Sequence, residues 1–104
     1  PYNENIIGLV SKQDILAIHT DNKIIVNQNE FNIPYGNYTT PKIYQNYIST
    51  LNLDTKELYL FSESKKIERF PIFSSNLYDF STRKKQTVLV VVGDQDELLY
   101  YTVD

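Results

Sequence analysis

The sequence predicts an α+β fold, a mostly antiparallel sheet or small β-barrel carrying one main helix over about residues 40–52. Three observations support this. Short β-branched and aromatic clusters alternate with turn-forming residues. One stretch, opened by Thr40-Pro41, has apolar residues at helical spacing. Near the C-terminus, Thr87-Val88-Leu89-Val90-Val91-Val92 is apolar on both faces, as a central strand requires.

Taken in order, the first clusters are Ile6-Ile7-Gly8-Leu9-Val10, Ile15-Leu16-Ala17-Ile18, Ile24-Ile25-Val26 and Phe31-Asn32-Ile33. Each is too short for a helix and rich in residues that suit a pleated surface. Thr20-Asp21-Asn22-Lys23 separates the second from the third, and its Asp and Asn side chains can satisfy turn backbone, so a hairpin is expected there. Pro34 and Gly36 close the block.

The expected helix follows. Thr40 caps it, Pro41 takes the first helical position, and Ile43, Tyr44, Tyr47, Ile48 and Leu51 form one face that ends near Asn52. Glu57-Leu58-Tyr59-Leu60-Phe61 and Ile67-Glu68-Arg69-Phe70 read as strands about a turn at Ser62–Lys66, and Pro71 confines the second to an edge or an end. Ser74–Phe80 reads as a loop or short helical turn. After the strand at Thr87–Val92, Gly93–Asp96 supplies a turn and Glu97–Val103 returns beside it. No internal repeat, linker or low-complexity segment is visible, and 104 residues suit one domain, 1–104.

Composition excludes more than it assigns. Ten Lys and Arg against thirteen Asp and Glu give a net charge of -3, so any polyanion must be met by a local patch. With no Cys, thiolate zinc sites and a Cys–His pair are excluded, and His19, the one histidine, reads as a structural or solvated side chain. Gly8, Gly36 and Gly93 are isolated, so no phosphate-binding loop exists. Asp94, Asp96 and Glu97 cluster without calcium-loop spacing and read as an acidic turn. Asn37-Tyr38-Thr39 matches a glycosylation sequon but carries no weight without a leader. No apolar run approaches the roughly 20 residues of a membrane helix. The expectation is a cytoplasmic protein without enzymatic activity, metal or cofactor.

One asymmetry suggests a binding surface. Six of the ten basic residues, Lys65, Lys66, Arg69, Arg83, Lys84 and Lys85, fall between positions 65 and 85, with Phe73 and Tyr78 among them. Cations for phosphates beside rings that stack on unpaired bases are what single-stranded RNA recognition uses; basic turns also guard sheet edges. The expected function is a non-enzymatic regulatory module contacting RNA through those eight residues. The alternative is a protein-interaction module, self-associating or phage- or plasmid-encoded, that uses an edge strand and exposed tyrosines such as Tyr2, Tyr35 and Tyr38.

Heavy use of Asn, Ile, Lys and Tyr resembles that of AT-rich Gram-positive bacteria, their phages and plasmids. The order of strands, one Thr-Pro-started helix and further strands ending in Thr87–Val92 and Leu98-Leu99-Tyr100-Tyr101 is similar in outline to the PrgU family of PUA-like regulators from conjugative plasmids. That resemblance implies a sheet-based module acting on RNA or on a regulatory protein, without catalysis, and it assigns no functional residue.

Overall fold

The computed structural model describes residues 6–62 and 65–103. Glu63 and Ser64 of the expected turn, and Tyr2, lie outside the described residues. The fold is all-β: eleven strands in three antiparallel sheets, with neither a helix nor a closed barrel among the described residues. The chain divides into two compact units, Pro1–Phe70 and Pro71–Asp104.

The first unit holds two four-stranded up-and-down sheets. One is β1 (Gly8–Lys12), β2 (Ile15–His19), β3 (Lys23–Val26) and β4 (Asn29–Asn32); the other is β5 (Lys42–Tyr44), β6 (Tyr47–Asn52), β7 (Glu57–Phe61) and β8 (Lys66–Pro71). They meet face to face. Ile15 and Ala17 of β2, Ile24 and Val26 of β3, Ile48 of β6 and Tyr59 and Phe61 of β7 share one buried cluster. Phe31 packs its ring 5.2 Å from that of Phe61 across the interface. Alternation explains the choice: Ile24 and Val26 point one way and Ile25 the other. Along β6 and β7 both faces are buried, from Ile48 to Asn52 and from Leu58 to Phe61.

The second unit is a three-stranded sheet, β9 (Tyr78–Arg83), β10 (Gln86–Val92) and β11 (Leu98–Thr102), with β10 in the centre. Leu89 sits opposite Phe80 and Tyr101, and Val91 opposite Tyr78 and Leu99, which places these side chains on one face. Leu89 and Val91 are fully buried there.

The expected helix over 40–52 is replaced by the β5–β6 hairpin. Lys42, Ile43 and Tyr44 pair with Ser49, Ile48 and Tyr47, and the loop is Gln45-Asn46. The mistake has a geometric cause. A two-residue loop sets residues three and five apart in sequence directly opposite each other, so a tight hairpin gathers near neighbours much as a helical turn does. Residue type decides the outcome: Ile43, Ile48, Thr50, Tyr44 and Tyr47 favour the pleated surface. The segment read as a loop or helical turn at Ser74–Phe80 likewise ends in strand, since β9 begins at Tyr78.

Turn chemistry repeats through the molecule where residue identity does not. Gln13-Asp14, Asn27-Gln28, Gln45-Asn46 and Lys84-Lys85 each close a two-residue hairpin loop. The first residue of each is left-handed, with φ of 55°, 56°, 54° and 49°, and Lys85 adds φ 66°. Each of the three sheets therefore opens with a tight hairpin and continues through a longer turn containing Asp21, Asp54 or Asp94.

Candidate interaction surface

Two places gather notable side chains, one buried in the first unit and one exposed on the second. The buried one centres on Tyr38, Asn52 and His19. The segment before β5 runs back along β6, with a bridge between Tyr38 and Asn52. Asn52 Nδ2 donates to Tyr38 Oη at 3.2 Å, while its Oδ1 accepts from the backbone N–H of Asp54 at 2.9 Å and of Thr55 at 3.2 Å. Tyr38 Oη donates in turn to the Pro34 carbonyl. Burial pushes the Tyr38 hydroxyl up to about 12, against the opposing effect of the Asn52 hydrogen bond, and burial also raises Tyr59. The tyrosine expected to be exposed at 38 is thus a core residue.

His19 is buried opposite Gly8, and a Cβ on Gly8 would collide with its Nε2. Its Nδ1 lies 3.1 Å from the Thr20 carbonyl, an oxygen that can only accept, so the proton sits on Nδ1. A Cβ on Gly36 would similarly meet Asn52 Nδ2 at 2.7 Å. This network is closed and ties the turn after β6 to the segment that precedes β5. No nucleophile faces a base within it, and no group of His, Asp and Glu among the described residues could hold a metal ion.

The sequence-predicted basic residues divide between the units. Lys65 lies in the β7–β8 turn, where its carbonyl accepts from Ser62 N at 2.8 Å; Lys66 opens β8; Arg69 lies further along it. Arg69 is committed to Glu57, with Nη1 3.4 Å from Oε2. Arg83, Lys84 and Lys85 form the β9–β10 turn, all exposed. Phe73 is half-buried ahead of a turn in which its carbonyl accepts from Asn76 N at 2.9 Å. Tyr78 meets Phe80 edge to face at 6.1 Å on the sheet face opposite Arg83, because alternate residues of β9 point to opposite sides.

The ring that Arg83 does reach is Tyr100, whose centroid lies 4.6 Å from the guanidinium carbon. Its face of the second sheet also carries Val90 and Val92 of β10 and Leu98 of β11, paired as Val90–Tyr100 and Val92–Leu98. Leu98 remains 55% exposed and Tyr100 47%, an apolar surface fringed by Arg83 and Asp79. Sequence reasoning missed Leu98 and Tyr100. The apolar runs of β10 and β11 were visible, but which parity is exposed depends on strand register and on what covers each face.

At the far end of this sheet, Asp94 Oδ1 accepts from Ser74 N at 3.2 Å and Ser74 Oγ at 2.8 Å, while Glu97 Oε2 accepts from Gln95 N at 3.0 Å. The acidic cluster therefore organises its own turn. No helix among the described residues is long and apolar enough to cross a membrane. Set against protein-family models, curated proteins and solved structures, the chain finds no match in any of the three.

Proposed function

We propose that the chain is a non-enzymatic protein-interaction module whose contact surface is the outward face and free edge of the β9–β11 sheet. The observation that carries this is the apolar strip of Val90, Val92, Leu98 and Tyr100, with its two β11 members about half exposed. Aromatic and aliphatic side chains left in water beside an arginine have the composition of an interface centre. Its test is cross-linking mass spectrometry in cell extract: wild type captures a protein through β11, retained in high salt, and Leu98→Lys with Tyr100→Lys abolishes the capture. Equal capture by both forms would remove this surface from consideration.

A second reading, a regulatory module contacting RNA, draws support from Arg83, Lys84 and Lys85 in one exposed turn with Tyr100 under Arg83. Cations beside a ring suit an unpaired base. The net charge of -3 and the engagement of Arg69 with Glu57 weigh against it. Salt-sensitive RNA binding that falls when Arg83, Lys84 and Lys85 are changed together to Gln would favour it; unchanged RNA affinity in that variant would dismiss it.

A further inference from the structure

Each sheet ends in two edge strands, whose unpaired N–H and C=O groups are a template on which another strand can add. Five of the six edges carry charge: Lys12 in β1, Glu30 in β4, Lys42 in β5, Asp79 and Arg83 in β9, and Glu68 and Arg69 in β8, which also ends on Pro71. β11, Leu98-Leu99-Tyr100-Tyr101-Thr102, has no charge, no proline and no glycine. It is the one unguarded edge among the described strands.

The phase of its hydrogen bonds sharpens the point. Gly93 N donates to the Glu97 carbonyl at 2.8 Å, and Val103 N to the Thr87 carbonyl at 3.1 Å. Bonded and non-bonded pairs alternate along an antiparallel ladder, so Leu99 and Tyr101 turn their backbone groups toward β10, while Leu98, Tyr100 and Thr102 turn theirs outward. The residues whose backbone is free to pair are thus also the residues whose side chains lie exposed.

We propose that a second copy of this chain pairs with β11 edge to edge, antiparallel, about a two-fold axis at Tyr100, so that two three-stranded sheets become one of six strands. This rests on the protein-interaction function proposed above and specifies its partner. Under the two-fold, Tyr100 faces Tyr100 and Leu98 faces Thr102, each using outward backbone groups, and the strips of Val90, Val92, Leu98 and Tyr100 run together across the seam. Charge selects the direction. Arg83, Lys84 and Lys85 occupy one end of the sheet, and Asp94, Asp96 and Glu97 the other. Antiparallel pairing sets the basic end of one copy beside the acidic end of the other, whereas parallel pairing would align like charges.

Sedimentation equilibrium of the full chain over a concentration series tests this, with dimer mass expected at the high end and weakening as salt rises. Tyr100→Lys and, separately, Leu98→Lys leave the thermal midpoint of the dilute protein unchanged and raise the dimer dissociation constant on the order of 100-fold. Because the natural chain has no Cys, disulfide trapping reads the register directly. A mixture of Leu98→Cys and Thr102→Cys chains should cross-link to heterodimers faster than either alone. A monomer at every concentration, a dimer indifferent to both lysine variants, or a mass that nuclease treatment reduces would each overturn the proposal. A monomer that still captures a different protein through Tyr100 would overturn the self-pairing and leave the interaction function standing; a monomer that captures nothing would overturn both.

Discussion

The first unit and the second treat an apolar sheet face in opposite ways. In the first, β2–β3 and β6–β7 cover each other, and the polar groups drawn into the seam, Tyr38, Asn52 and His19, find hydrogen-bond partners. In the second, the face carrying Val90, Val92, Leu98 and Tyr100 leaves Leu98 and Tyr100 about half exposed and the two valines partly so, with Arg83 laid over the Tyr100 ring. A covered face can hold polar groups in fixed hydrogen bonds; the exposed one keeps its polar residues, Asp79, Ser81, Arg83 and Thr102, around an apolar strip. Burial thus marks where the fold is secured, and its absence marks the surface for which we propose a partner.

Mutations should separate the two. Phe61→Ala, at a fully buried position against Phe31, is expected to cost about 3–5 kcal/mol in urea denaturation, while Leu98→Ala on the open face stays within about 0.5 kcal/mol. Comparable losses at both sites would erase the contrast.

Next in size is Asn52→Ala. It strands the N–H groups of Asp54 and Thr55 and removes the donor to Tyr38, for a loss of about 2–3 kcal/mol. A near-neutral result would mean that the seam tolerates open polar groups after all.

Alkaline titration probes the same seam. The Tyr38 hydroxyl is raised from 10.0 to about 12 in the fold, so the unfolded chain loses this proton first. The stability it contributes is fully present below the unfolded value and disappears as pH rises through the folded one. Thermal midpoints should fall across that window, and Tyr38→Phe, less stable at neutral pH, should fall less steeply. Equal slopes would place the titration elsewhere.

The smallest effect belongs to the second unit. Lys84 and Lys85 both sit at left-handed φ, which suits Asn-Gly far better, so Lys84→Asn with Lys85→Gly should stabilise by about 0.5–1 kcal/mol. Calorimetry would show a raised midpoint, or else reveal that the lysines make compensating contacts.

Much of the strand pattern was legible. The clusters at Ile15–Ile18, Ile24–Val26, Glu57–Phe61 and Thr87–Val92 are strands, the Thr20–Lys23 turn joins β2 to β3, and Pro71 ends an edge strand. The Thr40–Asn52 stretch was not, because Tyr44–Tyr47 and Ile43–Ile48 meet across a two-residue loop at spacings that also suit a helical face. The basic cluster was legible as composition, but adjacency in sequence said nothing of Glu57 beside Arg69 or of Tyr100 beneath Arg83.

By itself the sequence determined where the strands outside residues 40–52 and 72–86 form, where most turns fall, and that thiolate chemistry and phosphate-loop binding are closed to this chain, because β-propensity, turn residues and side-chain inventory are local properties. Register and facing were decided only by the tertiary structure. A one-residue slip exchanges every side chain between faces, so whether Tyr100 or Tyr101 meets solvent, and which edge is left unguarded, depends on contacts between segments far apart in the chain.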